Sequence, residues 1–204
     1  MINASHFQRV LTDLPYVGYS LYHMFGIFFF WSFVGWVLEV IDMAVETRTF
    51  QNRGFLHLPI CPIYGISLLM LNIILREYRD NYVLLIIVSM LVCTLVELLV
   101  GVVLQKAFNA RWWDYSHMRF NYKGLICLRN TLFFGAAGFV IVALIEPRLE
   151  ILFDHIVINV GLLLMAGLGM VLFLDVLLSL LRAMKIKRSN GREIEPILLF
   201  KSHR

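Results

Sequence analysis

Glu39 and Glu97 each stand inside a long apolar run. Each shares a helical face with a small residue: Trp31, Gly35 and Glu39 recur every four residues, as do Cys93, Glu97 and Gly101. A carboxylate in hydrocarbon costs at least about 2.5–3.5 kcal/mol, so its retention calls for a reason. Three kinds of chemistry supply one: holding a cation or a proton, acting as acid or base on a substrate, or pairing with donors to assemble a helix bundle. Asp175 and Arg129 also fall inside apolar runs. With the span boundaries given below, all four lie toward the same side of the membrane, and no ionisable residue falls in the opposite half of any span.

Two polar segments could complete such a site. The first, ETRTFQNRGFLHLPICPIYG, offers Asn52, Arg53, Cys61 and Tyr64. The second, RWWDYSHMRFNYKGLICLRN, offers Trp112, Trp113, Asp114, Tyr115, Asn121 and Cys127. Arg53 is suited to a bidentate contact with an anionic group. The aromatic residues would serve an interfacial belt, but a belt does not need Asp114 among them. Together with Glu39 and Glu97, these residues are the candidate pocket. Cys61 and Cys127 beside His57 read as packed thiols, because neither CxxC nor HExxH spacing is present. No metal is expected, and the residues name no cofactor.

The elements that would position these groups are membrane helices. The chain has 204 residues, 60% of them hydrophobic and 16% charged, with a mean hydropathy of +0.77, which excludes a soluble domain of ordinary composition. A bilayer core needs about 20 apolar residues as helix. Scanning at that length predicts five spans, at 21–44, 58–75, 82–105, 124–145 and 157–181. The expected fold is therefore all-α, a polytopic bundle forming a single transmembrane domain over 1–181, with a basic cytoplasmic tail over 182–204. The first 20 residues hold Asp13, Pro15 and Arg9 as the only base, without the pattern of a cleaved signal. The three cysteines, Cys61, Cys93 and Cys127, fall in or beside spans and are expected reduced.

Five spans place the termini on opposite sides. With the C-terminus inside, the cytoplasmic set holds thirteen lysines and arginines: Arg48, Arg53, Lys106, Arg111, Arg119, Lys123 and the seven from Arg182 onward. The opposite set holds four, Arg9, Arg76, Arg79 and Arg148. The positive-inside rule then predicts N-out, C-in, in the cell (inner) membrane, with both polar segments on the cytoplasmic face. The basic tail is explained by this topology, and no nucleic-acid partner is expected.

Spans two and four both open on Ile-Cys, at Ile60-Cys61 and Ile126-Cys127, after an Asn, a base and a Gly. Each follows a span that carries a glutamate. The pattern suggests two hairpins related by an internal repeat, with the fifth span added, and repeats of this kind often hold a site at their interface.

The stretches GWVLE (35–39), NRGFL with CPIYG (52–65), ELLVG (97–101) and RWWDYS…FN…G.ICL (111–128) resemble the CmpB-like family of bacterial multispan proteins labelled Putative ABC-transporter type IV. The resemblance covers about residues 25–147, with departures at Arg119, Leu125 and Arg129-Asn130-Thr131. It implies a transport component. No GxxxxGK[ST] sequence is present, so an ATPase would be a separate subunit, for which the sequence gives no support of its own. Three functions stay open: a permease-like component for a small solute or ion, a membrane enzyme acting on a lipid or other amphiphile at the cytoplasmic interface, and a non-catalytic scaffold or accessory subunit.

Overall fold

The computed structural model describes residues 20–48, 55–109, 111–156 and 158–190. Ser20 starts the first helix by accepting the His23 amide on Oγ at 3.2 Å, a side-chain cap for one of the orphan donors of a helix start. Helix α1 runs Leu21–Thr47 and ends at Arg48 in the left-handed region, φ 54°. Tyr82–Phe108 (here α3) is built the same way. Asn81 Oδ1 accepts the Leu84 amide at 3.1 Å, and Asn109 ends the helix with φ 54°. Each has 27 residues, roughly 40 Å at 1.5 Å per residue.

Between them lies the short α2, Pro62–Leu75, with 14 residues and a length of only about 21 Å. The expected span began at 58. Two prolines explain the difference, because the residue before a proline is driven out of the helical region. Leu58 precedes Pro59, and Cys61 precedes Pro62 with φ −117° and ψ 94°, so residues 55–61 stay non-helical. A 3-10 turn, Arg76–Tyr78, follows α2.

The fourth rod begins at Leu128, not 124. Residues before it form a small antiparallel hairpin, β1 (Asn121–Tyr122) with β2 (Ile126–Cys127), in which Asn121 faces Cys127 and Tyr122 faces Ile126. Lys123 and Gly124 turn it with φ 54° and 70°. The rod then passes from α4 (Leu128–Phe139) through a π-helical turn, Val140–Ile145, into α5 (Glu146–Asp154), where the sequence predicted an end at 145. Pro147 would clash with the carbonyl four residues back, and the wider π turn falls where that carbonyl lies. Arg129, expected to be buried, is in the first turn of α4 and exposed. The last helix, α6 (Ile158–Asn190), continues beyond the expected boundary at 181.

Among the described residues there are thus five helical rods, and four are long and apolar enough to cross a membrane: 21–45, 82–108, 128–154 and 160–184. The protein is a multi-pass membrane protein. Helix α1 packs on α2, α2 on α3, and α3 on α4, around Ile27, Leu71, Leu75, Leu85 and Val142. These helices approach closely at small residues, as membrane helices do. A Cβ added to Gly65 would lie 2.2 Å from Ser32 Oγ and 2.4 Å from the Phe28 carbonyl, and one added to Gly138 would lie 2.1 Å from Ser89 Oγ.

Candidate functional site

Both polar segments fold back into the bundle. Cys61 donates its amide to the Ser32 carbonyl at 2.8 Å. Ser32 lies 15 residues before the end of α1, so the chain has returned roughly 22 Å along that helix. The backbone of the returning segment needs partners wherever water is scarce. Asp175 of α6 provides them: its two carboxylate oxygens accept the amides of His57 at 3.2 Å and Leu58 at 2.8 Å. The same carboxylate accepts from His57 Nδ1 at 2.7 Å. Ser179 Oγ lies 3.1 Å from that nitrogen, and Arg182 Nη1 lies 3.2 Å from Nε2. Asp175 is committed to holding backbone, which is an assembly role.

The second segment is held by its own side chains. Asn121 donates to the Met118 carbonyl at 2.7 Å and accepts the Gly124 amide at 3.0 Å. Asp114 accepts the Ser116 amide at 2.9 Å. Its hydrogen bonds from the Ser116 hydroxyl and amide, with Arg111 nearby, hold the Asp114 carboxyl below its usual range. Asp114 and Arg111 are exposed, and they shape the turn around Gly124. A Cβ on Gly124 would lie 2.4 Å from Asp114 Oδ1. Trp113 donates Nε1 to the Leu125 carbonyl at 2.8 Å, and both residues rest against Gly101. Trp112 packs instead with Phe55 and Phe108, joining the two returning segments at their entrance.

At the inner tips of these segments two tyrosines meet the two glutamates. Tyr64 donates to Glu39 Oε1 at 2.8 Å, and Tyr115 donates to Glu97 Oε1 at 3.0 Å. Burial, reinforced by the Glu97 charge, pushes the Tyr115 phenol above its ordinary value, so it remains a donor. Glu39 and Glu97 are near enough to act on one another electrostatically, and so are Tyr64 and Tyr115. Glu97 is 7% exposed. Asn130 of α4 lies beside its carboxylate, and Oε2 has no hydrogen-bond partner among the described residues. Cys61 and Cys127, both buried, are the residues immediately before α2 and α4. Cys61 is within electrostatic reach of Tyr64, and Cys127 of Tyr115.

Of the residues chosen from sequence, the structure brings Glu39, Cys61, Tyr64, Glu97, Tyr115 and Cys127 into one cluster. Trp113 and Asn121 brace the second segment, Trp112 packs at the entrance, and Asp114 stands on an exposed turn. Asn52 and Arg53 lie outside the described residues.

Sequence reasoning missed one buried acid. Glu146, one residue past the expected end of the fourth span, is fully buried and accepts hydrogen bonds from Trp31 and Asn72. The readable signal was Asn72 within the apolar run LLMLNIIL, a polar side chain that needs a partner.

Neither a curated protein nor a solved structure matches the chain. The family model named Putative ABC-transporter type IV matches residues 26–180. This chain, with its apolar rods and returning segments, belongs to that CmpB-like family.

Proposed function

We propose that the protein is a transport component whose paired carboxylates, Glu39 and Glu97, bind a proton or a small cation. One observation carries this reading: two acids from two different long helices, each held by a tyrosine hydroxyl, lie within electrostatic reach inside the bundle. Two such groups share positive charge more readily than they tolerate two negative ones. Binding of a proton or cation supplies that charge, and its release couples the site to movement of a solute.

The shape of the chain supports an internal repeat of two hairpins. Two 27-residue helices carry side-chain caps at one end and left-handed residues at the other. Each is followed by a returning segment and a helix that begins after a buried cysteine. The acids then lie at the interface of the repeat units, where repeat-built transporters hold their ligands. The excess of thirteen bases over four supports N-out, C-in, with the site opening to the cytoplasm. In this topology α2 also crosses, the non-helical residues 55–61 adding to its length.

Ion movement into proteoliposomes under an imposed proton or sodium gradient tests the proposal. Wild-type protein is expected to show movement that Glu39→Gln and Glu97→Gln each reduce to background, while both variants keep a cooperative thermal transition. Unchanged movement in the two folded variants would sink the reading.

A further inference from the structure

We infer that Glu146 is a second proton-binding site, with the bound proton shared between its carboxyl group and the amide of Asn72. Three elements converge there. Trp31 of α1 donates Nε1 to Glu146 Oε1 at 2.9 Å. Asn72 of α2 donates Nδ2 to the same oxygen at 2.8 Å and to the Leu68 carbonyl at 2.9 Å. Glu146 and Asn72 are both 0% exposed, and Trp31 is 5% exposed.

These bonds use the Trp31 indole N–H and both N–H groups of the Asn72 amide, and leave two acceptors over. Glu146 Oε2 and Asn72 Oδ1 are both buried without a hydrogen-bond partner among the described residues. An ionised carboxylate offers only acceptors and can satisfy neither. A single proton on Oε2 satisfies both: the new O–H donates to Asn72 Oδ1 while Asn72 Nδ2 continues to donate to Oε1. The result is the paired ring that a carboxylic acid forms with a primary amide.

The charged groups facing the site from neighbouring turns do not offer a substitute. Arg79 and Glu150 both act on Glu146 electrostatically, but they are bound to each other, with Nη1 to Oε2 at 3.4 Å and a closer Nη2 contact to Oε1. The hydrophobic core cluster that includes Trp31 also holds Leu71, Leu75, Val142 and Leu149. A metal cation fits less well than a proton, because two N–H groups point at Oε1 and only two free oxygens remain, where a hard cation takes six or more.

The site adds to the proposed function without resting on it. Trp31 and Glu39 are eight residues apart on α1, so the two acid sites are separated by roughly 12 Å along that helix. A proton could be held at either.

Infrared difference spectroscopy of the purified protein, titrated across neutral pH in H2O and D2O, tests the inference. Wild type is expected to show the C=O stretch of a protonated carboxyl that shifts in D2O, that is lost in Glu146→Gln, and that persists in Glu39→Gln and Glu97→Gln. Glu146→Gln is expected to keep the wild-type melting temperature, because its carboxamide makes the same ring. If that variant fails to fold, Trp31→Phe provides the reading: removing one N–H from Oε1 moves the band to higher frequency without abolishing it. The inference is overturned if Glu146→Gln folds and leaves every protonated-carboxyl band in place, if Trp31→Phe moves none, or if sodium or potassium at constant pH removes the band.

Discussion

Asp175→Ala is expected to lower the stability of the purified protein by up to about 2–6 kcal/mol, because it leaves two partly buried backbone donors without acceptors at up to about 1–3 kcal/mol each. The donors are the amides of His57 and Leu58, on a non-helical segment whose amides no secondary structure satisfies. Asp175→Asn is expected to lose about half as much, since the carboxamide oxygen still accepts one amide while its NH2 faces the other. Thermal unfolding in detergent reads the total, and hydrogen exchange locates it. The amides of residues 57 and 58 should exchange faster in Asp175→Ala, while those in the middle of α3 should not. Wild-type exchange at both amides in a stable Asp175→Ala protein would mean that the returning segment finds other partners.

The second large effect is expected where α1 and α2 interlock. Gly65 of α2 lies against Ser32 and the Phe28 carbonyl of α1, while Gly35 of α1 lies against Tyr64 of α2, with an added Cβ only 2.3 Å from the Tyr64 ring. Gly65→Ala meets backbone, which cannot rotate away, and is expected to cost about 1–3 kcal/mol or more of stability as the helices separate. Gly35→Ala meets the base of a side chain and is expected to displace Tyr64 from Glu39. The measurement is the melting temperature together with ion movement. Gly65→Ala should lower the first, and Gly35→Ala should lower the second at a smaller cost in the first. Wild-type melting of Gly65→Ala would show that the helices can part without loss.

These contacts indicate what the sequence could and could not reveal. Helical periodicity put Glu39 on a face with Gly35 and Glu97 on a face with Gly101, and the structure uses both glycines for close packing. The two returning segments were recognisable by their chemistry, and the Ile-Cys boundaries mark the starts of α2 and α4. Which tyrosine meets which glutamate was not legible, because it depends on how far each segment folds back, and that is set by contacts such as Cys61 to Ser32 and Trp113 to Leu125. Hydropathy scanning also reads apolar content and not conformation. It therefore counted 58–61 as helix although two prolines keep that stretch out of the helical region, and began the fourth span at 124 although the hairpin delays the helix to Leu128. Glu146-Pro147-Arg148 read as a helix end for the same reason. The π turn that accommodates Pro147 carries the rod past it, and Glu146 lies in the core.

The distance along the chain between Asp175 and the amides it caps also bears on how the protein is made. The partners are separated by 117 and 118 residues. At about 5–20 residues per second of synthesis, roughly 6–24 s pass between emergence of His57 and emergence of its acceptor. During that interval the segment between α1 and α2 cannot take its final place by this contact. Helix α6 therefore acts late in biogenesis, locking a loop that was translated well before it.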